Sequence, residues 1–256
     1  MKTLLAATCL ACAAVLAVPA HAQEGAAAAE PAALPDWRGV WFLATAVPGI
    51  DGFPDPDANV TSMGDVYPLL GLDRAPLNAE GQARMQAAFA AMGGRKAMGW
   101  GYPMMMSLTP LEFVVTPEQT LILTVYRDLR RIATDGRALS PLEDRWATAW
   151  GESVGRWDGD TLVIETVAVR QPNLFFRAPP FSEAARYTER LRMTAPDRIE
   201  GEMTIEDPAS LTAPWTVRQV YVRAEGLDHL VMDTFSNDRT TLEDGLFAIL
   251  PPENEP

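Results

Sequence analysis

Apolar and polar residues alternate with a period of two along most of the chain after residue 110. This pattern is typical of strands that bury one face. Turn residues separate the alternating segments, as at Thr116–Gln119, Asp158-Gly159 and Ala195–Asp197. We therefore predict strands at Val40–Ala44, Leu111–Val115, Thr120–Tyr126, Leu129–Thr134, Trp146–Trp157, Thr161–Val169, Ala185–Thr194, Ile199–Ile205, Trp215–Ala224 and Leu230–Phe235.

The period is helical in one segment, Ala79–Met92. Asn78 can cap its first turn, Gly93-Gly94 ends it, and its apolar stripe consists of Met85, Ala88, Phe89 and Met92. Residues 45–77 are rich in Pro and Gly and have no clear period, so we predict a long ordered loop there.

Short turns between successive strands favour an antiparallel meander, because parallel neighbours need long crossover connections. So many strands in one domain predict a closed barrel or two packed sheets. Closure also removes exposed sheet edges. The predicted fold class is mainly β, an antiparallel meander that closes into a lipocalin-like barrel (or else a two-sheet sandwich) with one flanking helix.

The first residues have the features of a cleavable signal peptide. Lys2 precedes the apolar run Leu4–Val18, and Ala20-His21-Ala22 is a small-x-small cleavage site. Cys12 offers a weaker lipoprotein alternative. We predict a signal peptide at residues 1–22, a flexible Ala/Pro-rich leader at 23–35 and a single β-rich domain at 36–256. The expected location is the periplasm or the exterior of a bacterium.

Cleavage after Ala22 would remove both cysteines and leave one lysine, Lys96, and one histidine, His229. Disulfides, thiol catalysis and multi-histidine metal sites are then excluded, and we expect no metal and no cofactor. The remaining 20 Lys and Arg against 34 Asp and Glu give a net charge of −14. A chain this acidic repels phosphate backbones and anionic lipids, so we expect no nucleic acid partner and no membrane insertion after cleavage.

Four motifs lie in these predicted strands and turns: PDWxGVW at 35–41, RRIATDGR at 130–137, GxSxGRWxGDTLVIET at 151–166, and EDP at 206–208 followed by TAPW at 212–215. Together they resemble a family of exported bacterial β-rich domains. The resemblance implies export and a shared fold, and it implies no catalytic residues. Histidine often occupies the family positions of Glu152 and Tyr187, so any imidazole chemistry in relatives does not extend to this chain.

Three charged residues, Glu152, Glu189 and Arg131, lie on different predicted strands, and each stands between apolar residues of the same strand face. Buried charges must pair, change protonation or meet a ligand. A carboxyl group with a raised pKa in an apolar pocket can act as a general acid or base, which makes these three the candidate catalytic residues. The alternative is a structural Arg–Glu network. Glu165 has the same surroundings, but its strand could be buried on both faces.

Aromatic and thioether side chains suggest a ligand surface. Flexible Met beside rigid rings suits an adaptable apolar site, although it also suits ordinary core packing. The candidate ligand-binding residues are Trp100, Tyr102, Met104, Trp150, Phe175 and Tyr187.

Gly151-Glu152-Ser153-Val154-Gly155 matches the motif of a serine nucleophile, which needs a helix after its strand. Here a hairpin turn and another strand follow. The alternative is that these small residues allow the close approach of another element.

Two main hypotheses follow. The first is an exported domain that binds a hydrophobic small molecule, such as an aromatic or isoprenoid compound, in a barrel pocket. The second is a cofactor-free isomerase, lyase or hydrolase that uses buried carboxylates in the same pocket. A purely structural envelope protein is a third possibility.

Overall fold

The computed structural model describes residues 34–44, 67–70, 74–93, 101–107, 110–124, 128–170, 179–231, 240–243 and 246–249. The predicted signal peptide, all but the end of the predicted leader, and the candidate residues Trp100 and Phe175 lie outside these ranges. In the described part of the chain, the prediction of a mainly β barrel with one flanking helix is confirmed.

Nine strands form one closed barrel, and each strand pairs with its neighbours in the sequence. They are β1 (Val40–Leu43), β2 (Leu111–Val115), β3 (Gln119–Thr124), β4 (Leu129–Ala133), β5 (Glu152–Asp158), β6 (Thr161–Val167), β7 (Arg186–Ala195), β8 (Arg198–Glu206) and β9 (Trp215–Arg223). Antiparallel pairing of β1 with β9, with Trp41 opposite Arg223, closes the barrel. Closure decides between the two predicted architectures in favour of the barrel.

One junction departs from the predicted antiparallel meander. β4 and β5 pair in parallel, with Ile132 opposite Ser153 and Ala133 opposite Val154. Strand direction cannot alternate at every junction around an odd number of strands, so a nine-stranded ring needs a parallel pair. The pair falls where residues 134–151 provide a connection long enough for a crossover.

The strand predicted at Trp146–Trp157 is shorter than expected and begins at Glu152. Gly151 has φ of +69°, and a Cβ there would lie 2.4 Å from the carbonyl oxygen of Val167, so this position needs glycine and ends the regular pairing. In the predicted strand Leu230–Phe235, the two described residues are not in a strand. The strands β10 (Thr240–Glu243) and β11 (Leu246–Ile249) form a hairpin that we did not predict.

The predicted helix is confirmed as α1 (Ala79–Gly93). The Asn78 side chain caps it by accepting the N–H of Gly81 at 2.8 Å. Gly81 lies so close to the loop after β8 that a Cβ would be 2.2 Å from the Ser210 carbonyl oxygen. Among the described helices, none is both long and apolar enough to span a membrane.

The inward side chains of the barrel form one core. Residues Tyr102–Ser107, which we call the lumen segment, fill the barrel interior, and Met104–Ser107 form a buried 3₁₀ turn. In the described residues, the lumen segment therefore fills the interior of the lipocalin-like barrel. Tyr102 and Met104, which were expected to line a pocket, occupy its volume instead.

The outer wall has two regions with different chemistry. On β7–β9, Arg and Glu side chains pair across strands, as in Arg218 with Glu202 at 3.0 Å. On β2–β4, apolar side chains face outward, and Val114 and Leu129 are 37% and 45% exposed.

Candidate functional site

A buried ion pair lies in the barrel lumen. Arg130 on β4 donates from Nη1 to Oε1 of Glu189 on β7 at 3.2 Å, and a second, shorter contact joins Nη2 to Oε2. The exposed fractions of the two side chains are 0% and 2%. An alternating strand brings each of them inside, because Ile132 on β4 and Tyr187 and Leu191 on β7 are buried on the same faces.

Two hydroxyl groups from neighbouring strands also contact the guanidinium. Thr166 on β6 accepts from Arg130 Nη2 at 2.9 Å, and the hydroxyl groups of Thr166 and Ser153 lie 2.8 Å apart. Four strands of the wall thus meet at one polar centre, formed by Arg130, Glu189, Thr166 and Ser153.

The lumen segment covers this polar centre with apolar groups. The Tyr102 ring lies over the guanidinium, with its centroid 4.2 Å from Arg130 Cζ. Arg130 Nη1 is 3.4 Å from the Met106 sulfur, and the Tyr102 hydroxyl is 3.7 Å from the Met203 sulfur. The ion pair is therefore enclosed by aromatic and thioether groups rather than by water-exposed ones.

Strand β9 holds the main chain of the lumen segment through side chains. The Met106 carbonyl oxygen accepts from Tyr221 Oη at 2.7 Å and from Gln219 Nε2 at 3.2 Å. Gln219 Nε2 is also 3.0 Å from Ser107 Oγ. Both β9 side chains are buried, so this carbonyl is recognised in a site away from solvent.

Burial dominates the electrostatics of the lumen. It would lower the pKa of Arg130, but the Glu189 carboxylate, together with Tyr102 and Tyr221, outweighs burial, and the pKa is raised. Burial also raises the pKa of Tyr102 well above its usual range, and the charge of Glu189 adds to this effect. Burial is also the main reason why the pKa values of Tyr187 and Tyr221 are raised. The guanidinium is thus charged and the phenols are neutral at ordinary pH.

Among the described residues, six buried side-chain polar atoms have no hydrogen-bond partner, and two of them, Arg130 Nε and Tyr187 Oη, belong to side chains that contact the Tyr102 ring. The Tyr187 ring packs edge-on against Tyr102, with centroids 4.9 Å apart, and against Phe181 at 5.9 Å.

Of the three candidate catalytic residues, Glu189 is inside as predicted and the other two are not. Arg131 is exposed and donates to Gln119 Oε1 at 2.5 Å, so the prediction that Arg131 faces inward is wrong by one position and Arg130 takes its place. Glu152 lies on the outer side of β5 and accepts the N–H and hydroxyl of Ser140 at 2.8 and 2.9 Å. The two glutamates therefore do not share a cavity. Glu165 also faces outward, 3.8 Å from Arg186.

Among the candidate ligand-binding residues, Tyr102, Met104 and Tyr187 are buried in the lumen, and Trp150 packs at the edge of the core. Arg130, Thr166, Gln219 and Tyr221 were not predicted. Arg130 directly precedes Arg131 in one of the recognised motifs, and Gln219 is a polar residue on the inward face of an otherwise apolar strand, which is the signal that could have identified it.

The serine motif does not form a nucleophile elbow. Ser153 is buried, β6 follows β5 through a tight turn, and His229 is exposed beside Asp228. A Cβ at Gly155 would lie 2.8 Å from an Ile132 side-chain carbon, which confirms that this small residue permits close packing.

Two clefts outside the lumen meet at Arg223, with volumes of about 890 and 720 Å³. Arg223 stacks on Trp41 and donates to the main-chain carbonyl groups of Asp36 and Arg38, so its role there is to close the barrel wall.

Within the described residues, no group of three His, Cys, Asp or Glu could hold a metal ion. No family model matches this chain, and no curated protein or solved structure is similar to it.

Proposed function

We propose that this chain is an exported protein that binds a hydrophobic or aromatic small molecule inside its barrel, in the volume occupied by the lumen segment. Export is supported by the signal-like features of residues 1–22. The resemblance to exported β-rich domains agrees with this proposal.

The way in which the lumen segment is held carries the proposal. Two of its described main-chain bonds are local turns, from Met105 N–H to Gly101 and from Met106 N–H to Pro103, and one joins Tyr102 N–H to the Ala149 carbonyl at 2.9 Å. It pairs with no barrel strand in the described structure. The wall instead contacts it through side chains, as a protein contacts a ligand.

The surroundings of the segment suit a mostly apolar molecule. Aromatic rings and methionines form most of the lumen, and the polar centre offers a small number of directed groups. Pockets for small molecules usually have this composition. A cavity lined in this way would be large enough only when the segment moves away from the wall.

Acid–base catalysis by two buried carboxylates is not the function that we propose. Glu152 is on the outer side of the wall, and both carboxylate oxygens of Glu189 are held by Arg130. A general base needs a free oxygen within reach of the proton that it removes.

Binding can be tested with N-phenyl-1-naphthylamine, a neutral apolar probe that fluoresces when it is buried. We expect saturable binding of one probe per chain. Met106→Ala should strengthen it, because shortening this side chain weakens the internal competitor and raises the binding-competent fraction. Met85→Ala, on the half-buried face of α1, is the matched control and should change nothing.

The proposal fails if the probe does not saturate, or if Met106→Ala leaves its affinity unchanged in a folded protein. Native mass spectrometry of the protein purified from the periplasm of its own host provides an independent measurement. We expect it to detect a bound apolar molecule of defined mass.

A further inference from the structure

We infer that the molecule bound in the lumen is a neutral aromatic compound that carries a carbonyl group. This inference rests on the proposed function, and it identifies the ligand class from the groups that the lumen segment presents to the wall. The segment offers a ring to Arg130 and a carbonyl oxygen to Tyr221 and Gln219.

The carbonyl group of the ligand is inferred from two hydrogen-bond donors on β9. Tyr221 and Gln219 occupy consecutive inward positions of β9, and their exposed fractions are 0% and 5%. When the lumen segment moves away, both donors lose the Met106 oxygen. A ligand without an acceptor would leave two buried donors unpaired, and such sites discriminate strongly against analogues that lack the bonding group.

The ring follows from the position of Arg130. Arg130 Cζ lies 4.2 Å from the centroid of the Tyr102 ring, and the Tyr187 ring packs edge-on against Tyr102. Guanidinium groups stack readily on aromatic faces. A planar aromatic ring can therefore replace Tyr102 on Arg130 without loss of this contact.

Neutrality follows from the charge balance. Glu189 already compensates Arg130, and both are fully enclosed. An anionic ligand would add an uncompensated negative charge beside Glu189, and a cationic ligand would do the same beside Arg130. Burying an unpaired charge is strongly unfavourable, so the lumen selects against both.

The test compares three probes of one shape. 2-Acetylnaphthalene has a ring and a carbonyl, 2-isopropenylnaphthalene replaces the carbonyl oxygen with a methylene group, and 2-naphthoate replaces the ketone with a charge. Isothermal titration with the full chain measures each affinity. We expect the ketone to bind about 10-fold more tightly than the alkene, and more tightly than the carboxylate, because losing one hydrogen bond typically weakens binding 2- to 10-fold and two are lost here.

Variants assign the preference to β9. Tyr221→Phe removes one hydrogen bond from the lumen segment and one from the bound ketone, so the affinity for the ketone should change little, whereas the alkene should bind about 2- to 10-fold more tightly. Gln219→Leu should have the same selective effect, and either variant suffices if the other does not fold. Tyr67→Phe, at the edge of the core, is the matched control.

The outcomes separate this inference from the proposed function. Equal affinity for ketone and alkene, or tightest binding of the carboxylate, overturns the inference and leaves the binding function in place. If none of the three probes binds while N-phenyl-1-naphthylamine does, the inference is overturned as well; if N-phenyl-1-naphthylamine fails to bind, the proposed function itself is wrong.

Discussion

The lumen and the outer wall of β7–β9 both contain Arg–Glu pairs, but the inner pair is buried and the outer pair is exposed to water. Arg130–Glu189 is 0% and 2% exposed, whereas Arg218–Glu202 is 83% and 41% exposed. Water screens the outer pair, so each partner can lose the other at little cost. Inside, water cannot replace either partner, so the loss of one would leave the other as an unpaired buried charge.

The same difference applies to neutral polar groups. On the outer wall, the Thr204 and Thr216 hydroxyl groups lie 3.0 Å apart, and water can replace either one. In the lumen, Tyr221 and Gln219 depend on the Met106 carbonyl. The barrel therefore places polar groups of low energetic consequence outside and the few consequential ones around the lumen segment.

Arg130→Met is expected to have the largest effect on stability. It leaves the Glu189 carboxylate buried without its partner, which should lower the free energy of unfolding by about 3–5 kcal/mol. Arg131→Met, the neighbouring exposed arginine, should stay within about 0.5 kcal/mol. Urea denaturation measures both changes.

A second variant keeps this prediction testable if the single change does not fold. Arg130→Met combined with Glu189→Leu replaces the ion pair with apolar groups and should recover most of the loss. Equal costs for Arg130→Met and Arg131→Met would mean that the inner and outer arginines are equivalent, and the comparison would fail.

Alkaline titration tests the burial of the lumen through its tyrosine phenols. Burial raises the pKa values of Tyr102, Tyr187 and Tyr221 above those of the unfolded chain. Above pH 10 the folded protein keeps these protons and the unfolded chain releases them. Stability is therefore constant with respect to these groups below pH 10 and falls above it, by about 1.4 kcal/mol per buried tyrosine for each pH unit.

Tyrosinate absorbance at 295 nm and urea midpoints between pH 9 and 12 check this expectation. Tyr221→Phe should reduce the fall in stability above pH 10 by the contribution of one tyrosine, about 1.4 kcal/mol for each pH unit. Ionisation of all five tyrosines near pH 10 in the folded protein would show that the lumen is open to water.

Arg218→Ala is expected to have the smallest effect. The Arg218–Glu202 pair is largely exposed, so removing it should cost about 0–1 kcal/mol, and any loss should disappear at high salt. A loss as large as that of Arg130→Met, independent of salt, would mean that the outer network supports the barrel. Urea denaturation at low and high ionic strength distinguishes the two results.

Much of the barrel could be predicted because alternation and turns are local signals. The strands β7 and β8 alternate cleanly, and Glu189 was assigned correctly to the inner face. β4 was assigned to the wrong face because both of its faces contain one arginine, and a shift of one residue exchanges them. Only the position of Glu189 on another strand decides between Arg130 and Arg131, and pairing between distant strands is not a local pattern.

Glu152 was misassigned for a related reason. The apolar neighbours Trp150 and Val154 favoured its face, but the small residues Ser153 and Gly155 face inward because Ile132 and Leu162 approach closely. The lumen segment could not be foreseen either. Its methionines are equally compatible with a pocket wall and with the occupant of a pocket, and the choice depends on the space that nine strands leave between them.

The shortest ladders of the barrel have a mechanical consequence. β1 and β2 are joined over two residue pairs, and so are β4 and β5. Proteins open locally where the fewest bonds break, so β2–β4 should swing outward as one sheet while β5–β9 remain intact. Arg130 is carried on that sheet and Glu189 on the remaining wall. The ion pair therefore links the two sides of the β4–β5 seam, and amide hydrogen exchange is expected to be fast at Ala133 and Val154 along that seam.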